Sequence, residues 1–344
     1  MKKKYKLYIV LSIVFTFILF ILGIGVRYII DPVGINSKFD LGLYKDVALG
    51  YRTQKFVELN EVKPNTIMLG GSRVHYLSPQ DIQKYTNDKV YNLGLNYSTL
   101  EEQYYFLKYS LEHFPIKNVI IGLNLYTFSE VLEDNNSDFD KDLFESGFTP
   151  FKQFKHYLEI PLFKYLKYVY YNTFTEPFYK DGAITHYHQQ IVLNTQEDRR
   201  WENSIEGYRE KYTDYLEWGE TNLEYFKKMV KLCEEYQVNL KVFTTAIHTS
   251  QLSLLEEVDK MDVYYKWKEE IAKITPYWDF MYPNSVTKNQ KYYVDSSHLK
   301  QEYGYLYFAK LFEDKKTNTP KDFGVLVTKD NVNGYLKSLK KNKN

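Results

Sequence analysis

Thr66-Ile67-Met68-Leu69-Gly70-Gly71-Ser72-Arg73 is a short apolar run that ends in two glycines, a serine and an arginine. Four residues are too few for a helix, and the glycines close the run with a turn, so Thr66–Leu69 reads as a buried strand presenting Ser72. Moving outward, Ser78-Pro79 is a helix start, with proline at the first helical position. Lys89–Leu93 reads as a second strand. Ser98-Thr99-Leu100-Glu101 reads as a capping box opening a helix to about His113. Asn118–Leu123 is apolar throughout and reads as a third strand, buried on both faces. Strands alternating with helices predict a parallel sheet covered on both sides, with its ligand site beyond the carboxyl ends of the strands.

From Phe128 to about Trp218 the alternation stops. This stretch is rich in aromatics, among them Phe151, Phe154, Tyr157, Tyr165 and Tyr170, and reads as a mainly helical insertion. It is either a cap packed on the sheet or a lid lining the site. The pattern resumes with a helix capped by Thr221 and running to about Tyr236, then a strand at Val238–Thr244. Leu252–Ile274 reads as helix, Trp278–Met281 as a short strand and Lys300–Phe312 as the last helix. The lysine-rich stretch after Lys315 reads as a solvated tail. The single cysteine, Cys233, lies beside Met229, Val230 and Leu232, so it is expected on a buried helix face and forms no intrachain disulfide.

The chain has 344 residues and a formal net charge of +1, enough for one large domain with an insertion and too balanced for a nucleic-acid binder. Its N-terminus carries Lys2, Lys3, Lys4 and Lys6 ahead of an uncharged run from Leu7 to Val26. Such a helix rises about 30 Å, the thickness of a bilayer core. Lysines before the run predict a cytoplasmic N-terminus, an uncleaved single-pass anchor in the cell membrane and an extracytoplasmic remainder. The expected organisation is a basic N-terminus at 1–6, the anchor at 7–26, a connector at 27–63, a catalytic domain at 64–314 and a basic tail at 315–344.

Val294-Asp295-Ser296-Ser297-His298 supplies what Ser72 needs. A serine hydroxyl becomes a nucleophile when a base takes its proton, and the base works best when a third group holds it. Ser72, His298 and Asp295 fit those three roles. Donors for a developing oxyanion are expected from the Ser72 N–H, the Gly94 N–H and the Asn124 amide, since Gly94 and Asn124 also follow strands. Arg73 beside the nucleophile is a candidate substrate-binding residue or a structural ion pair. His248, after the fourth strand, is a candidate for the pocket wall. His75 is a rival base without a matching aspartate. His186 and His188 have no carboxylate or cysteine cluster near them in sequence, so no metal site is expected.

Ser72, Gly94, Asn124 and His298, in this order and with Asp295 three residues before the histidine, resemble the four blocks of the SGNH hydrolase superfamily. The resemblance covers about Thr66–Phe312, interrupted by the insertion. It implies a three-layer α/β/α, flavodoxin-like parallel sheet and ester chemistry with no metal and no cofactor. Two positions depart from the family pattern: Gly71 stands where an aspartate is usual, and Leu125 where an aspartate often follows the asparagine. The anchor and the Gly-Ser-Arg form are similar to a membrane-bound branch that adds or removes acyl groups on cell-surface polymers, often beside a membrane-embedded acyltransferase. The expected partners are therefore the bilayer, an acylated envelope polysaccharide and such an acyltransferase. The alternative is a non-catalytic accessory protein that keeps the fold.

Overall fold

The computed structural model describes residues 2–31, 33–35, 41–42, 50–131, 139–147, 149–159, 161–171, 181–185, 193 and 197–341. In chain order, helices α1 (Lys2–Ile30) and α2 (Tyr51–Val62) precede strand β1 (Thr66–Gly70), the single turn α3 (Ser72–His75) and α4 (Pro79–Gln83). Then come β2 (Val90–Gly94), α5 (Leu100–His113) and β3 (Asn118–Leu123). Helices α6 (Lys141–Ser146), α7 (Pro150–Glu159), α8 (Leu162–Tyr171), α9 (Glu197–Asp214) and α10 (Glu220–Glu235) lead to β4 (Asn239–Thr244). The chain finishes with α11 (Thr249–Glu257), α12 (Met261–Ile274), β5 (Tyr277–Asp279), α13 (Tyr305–Leu311), β6 (Val325–Val327) and α14 (Val332–Lys341).

The fold is α/β. Among the described residues the sheet has six strands in the order β2-β1-β3-β4-β5-β6, all parallel except β6, which runs antiparallel on β5. The five parallel strands give the doubly wound, flavodoxin-like order. β1 and β2 are buried along their whole length, and β3 is buried but for its first residue, which is why the strands read as unbroken apolar runs. One core cluster joins Met68, Val74, Ile120, Phe243, Phe280 and Tyr307.

Register places the chemistry. Gly70 pairs with Gly94 on one side and Gly122 on the other, so three glycines form a row at the carboxyl end of the sheet. The α3 turn folds back over that row. A methyl group added at Gly94 would stand 2.4 Å from the His75 backbone nitrogen, and Gly70 adopts φ 153°. Gly94→Ala should therefore push α3 off the sheet and cost about 1–3 kcal/mol, the usual range for overpacking. A melting curve that matches the parent would overturn this account of the row.

Several boundaries differ from the sequence reading, each for a local reason. The capping box of α5 is Thr99 with Glu102, not Ser98 with Glu101; Ser98 instead donates to the Gly70 carbonyl at 3.1 Å. Helix α10 has Gly219, not Thr221, at its N-cap position, and the Thr221 hydroxyl donates to Glu130. Leu252–Ile274 is two helices, broken where Asp259 takes φ 55°. The stretch after Lys315 is not merely a solvated tail. It supplies β6 and α14, which turns Val332 and Leu336 inward. Cys233 is buried on α10, and burial pushes its thiol up to about 12.

The chain divides into two compact units, Met1–Val57 with Asp140–Pro177, and Glu58–Phe139 with Phe178–Asn344. The first holds α1, α6, α7 and α8. Its core joins Tyr28 and Ile30 at the end of α1 to Val33, Ile35, Tyr157 and Tyr165. From Lys4 to Ile30, α1 is long and apolar enough to cross a membrane. The second unit holds the sheet. There the helical excursion is pinned at its neck: Ser129 bridges Trp218, and Gly219 N–H donates to the Phe128 carbonyl at 2.9 Å.

Candidate active site

Ser72 stands one residue beyond the β1 turn, and His298 lies in the loop after β5. Tertiary structure brings them together: Ser72 Oγ and His298 Nε2 are 2.8 Å apart. The other ring nitrogen, Nδ1, is 2.9 Å from both carboxylate oxygens of Asp295. Asp295 Oδ1 also accepts from the backbone N–H of Ser297 and of His298, so the carboxylate ties its own loop into a tight turn. Burial works to raise the Asp295 pKa, but the neighbouring His298 and these hydrogen bonds outweigh it and hold the carboxyl below its ordinary range. Val294 N–H donates to the His298 carbonyl at 2.8 Å and closes the loop. The Tyr76 ring packs on the imidazole at 5.1 Å.

These groups open on a cavity of about 420 Å³. Its far wall is one face of α9: Arg200, Ser204, Tyr208 and Lys211 recur every turn. The same face grips the histidine loop. Arg200 donates to the Val294 carbonyl at 2.7 Å, Ser204 and Ser296 share a hydrogen bond of 2.6 Å, and Ser297 donates to the Tyr208 hydroxyl at 2.8 Å. The sequence signal was present, as polar residues four apart in a helical stretch. Without the loop in view it had no meaning. Lys211 lies among three tyrosine rings, 4.2 Å from Tyr97, 5.5 Å from Tyr208 and 5.9 Å from Tyr126.

Asn124 lines the cavity after β3. Its Oδ1 accepts from Tyr126 N–H and from Arg73 Nη1, which fixes the amide with Nδ2 left as donor. The Ser72 N–H opens α3 and has no acceptor within that helix. Gly94 is placed differently from expectation. It is absent from the cavity wall, and its N–H donates to Asn92 Oδ1 at 2.7 Å. The turn beyond it contributes Asn96 and Tyr97 instead, Tyr97 with φ 54°.

Arg73 is not on the cavity wall either. It is 5 % exposed, and Nε donates to Ser297 Oγ at 2.9 Å while Nη1 donates to Asn124 and to Thr245. It therefore braces the site from behind, and it pairs with no carboxylate among the described residues. His248 caps α11, with Nδ1 accepting from Ser250 N–H, and packs edge-on against Trp201 and Tyr293. That takes it off the pocket wall, and burial holds its pKa below the ordinary value. His75 lines the cavity, but the Ser72 hydroxyl is bonded to His298. His186 and His188 lie outside the described residues; among the described residues no cluster of metal-ligating side chains occurs.

No protein-family profile matches the chain, and no curated protein does. Among solved structures, the chain is similar to one from Bacteroides fragilis described as a "putative acylhydrolase". The identity is 13 % and the TM-score 0.34, over 76 % of this chain and 92 % of that one.

Proposed function

We propose that this chain is a membrane-anchored, extracytoplasmic serine enzyme of the SGNH type that handles acyl esters on an envelope polysaccharide. The observation that carries the reading is the continuous relay from Ser72 Oγ through His298 to the Asp295 carboxylate. In the first step Ser72 Oγ bonds to the ester carbonyl carbon while His298 Nε2 takes its proton. The tetrahedral intermediate collapses, the alkoxide leaves with that proton, and the acyl group stays on Ser72. A sugar hydroxyl or a water then attacks the acyl carbon, giving its proton to His298; the Ser72 Oγ–acyl bond breaks, and His298 returns that proton to the serine oxygen. The first acceptor makes the protein a transferase and the second an esterase. Asp295 holds the imidazole in place and stabilises its charged form.

The oxyanion donors in this reading are the Ser72 N–H and Asn124 Nδ2. In this reading the role expected of Gly94 passes to the N–H of Tyr97, a cavity-wall residue whose N–H has no backbone acceptor among the described residues. The polysaccharide part of the reading is supported by the mixed lining, in which the rings of Tyr97, Tyr126 and Tyr208 stand beside the polar side chains of Asn203 and Ser204.

A fluorophosphonate probe tests the reading, because it labels only an activated serine. Label on Ser72, absent in His298→Ala, is the expected result; an unlabelled but folded parent protein would refute it. Asn124→Ala should lower the acyl-transfer rate by about 10²–10³ with little change in substrate binding, the cost of one oxyanion donor. An unchanged rate would remove Asn124 from the hole.

A further inference from the structure

The first unit carries an apolar surface that nothing in its own core uses. On α7, Phe151, Phe154 and Leu158 recur at i, i+3 and i+7 and all three are exposed. On α8, Phe163, Leu166 and Tyr170 repeat the same spacing and are exposed too, with Val169 beside them. Phe151 is 75 % exposed and Tyr170 81 %. The opposite sides of both helices are occupied: Tyr157 and Tyr165 are buried against Tyr28, Ile30, Val33 and Ile35. Each exposed stripe is bordered by lysines, Lys152 and Lys155 on α7, Lys164 and Lys167 on α8.

We infer that α7 and α8 lie in the bilayer interface of the leaflet at the C-terminal end of α1, with their apolar stripes among the acyl chains. Two observations select lipid as the occupant. The helices pack on the residues where α1 ends, and among the described residues α1 is the one helix long and apolar enough to span a membrane. The lysines flank the stripes where phosphate groups would lie, and their long stems let the ammonium reach outward. A water-facing helix pair would bring charge to this side and would not expose phenylalanine and leucine on both members. The insertion therefore divides its labour: Asp140–Pro177 serves the membrane unit, and α9 serves the cavity. This inference rests on α1 being the anchor and is independent of the chemistry at Ser72.

The test uses the full chain in phosphatidylglycerol–phosphatidylcholine nanodiscs. Cys233 is buried, so a nitroxide can be placed on single surface cysteines. Collision with oxygen, which concentrates in the acyl region, is compared with collision with a water-soluble nickel chelate. Phe151→Cys, Phe163→Cys and Leu166→Cys should favour oxygen, at a depth of about 5–10 Å below the headgroups. Lys164→Cys should favour nickel, and Ile13→Cys within α1 reports the anchor itself. Equal nickel access at positions 163, 166 and 164, with Ile13 still in lipid, overturns the inference. So does shielding of 163 and 166 from both reagents, the sign of a covering protein, or spin–spin broadening there, the sign of a second copy. Nickel access at Ile13 removes the anchor and the inference with it.

Discussion

Ser72→Ala should abolish turnover of an aryl acetate while the melting curve stays that of the parent. The expectation follows from the relay. In the proposed mechanism the hydroxyl forms the acyl bond, and His298 Nε2, 2.8 Å away, takes its proton. His298→Ala removes the base and should be as severe, because members of such a relay act as a unit and their losses do not add. Asp295→Asn is the sharper probe. It keeps the size of the side chain but turns the charge into an amide, which disturbs the tautomer and leaves the imidazolium unsupported. The serine-protease example in which that loss is about 10⁴ sets the scale. Folding should suffer less, since Oδ1 of an asparagine can still accept from the Ser297 and His298 N–H groups. Parent-like rates in Ser72→Ala would end the proposed mechanism, whatever the state of the fold.

Lys268→Met should lower the melting temperature steeply and leave any reactivity of Ser72 unchanged at lower temperature. Lys268 and Asp279 form an ion pair in which both side chains are fully buried. Burial pulls the Lys268 pKa down, and the Asp279 charge opposes it. Around the carboxylate, Thr244 donates at 2.6 Å, Tyr335 at 2.7 Å and Met281 N–H at 2.9 Å. Removing the lysine strands that carboxylate without its cation, which costs about 3–5 kcal/mol. For a unit of this size that is roughly 10 °C. Lys268→Met combined with Asp279→Asn should recover much of the loss, since no charge is then stranded and the asparagine oxygen can still accept. If the double variant melts no higher than the single, the loss comes from packing and not from an unpaired charge.

The elements around the site were legible because they rest on local signals. Thr66–Leu69 and Asn118–Leu123 are short apolar runs bounded by turn residues, and Ser78-Pro79 is a helix start that the structure keeps. Gly94 was the instructive miss. Its glycine reads as a backbone open to substrate, yet the side chain two residues earlier takes its N–H and the α3 turn takes its space. Arg73 beside the nucleophile reads equally as a ligand for substrate or a structural ion pair, and only the fold shows it reaching Ser297, Asn124 and Thr245 from behind. The C-terminal segment was misread because three residues of strand carry too little pattern, and lysines at the surface of α14 hide the inward Val332 and Leu336.

By itself, then, the sequence determined the parallel α/β frame, the apolar N-terminal helix and the residue types of the relay. Periodicity, turn chemistry and hydrophobic length all act within a few residues, so they survive in a linear string. The tertiary structure alone decided which residues meet. Ser72 and His298 are 226 positions apart, and Ser204 of α9 grips Ser296 in the histidine loop across 92. Such contacts depend on strand register, on a glycine row that lets α3 settle over the sheet, and on how a helix face is turned. None of these is fixed by neighbouring residues; each follows from burying the whole core at once.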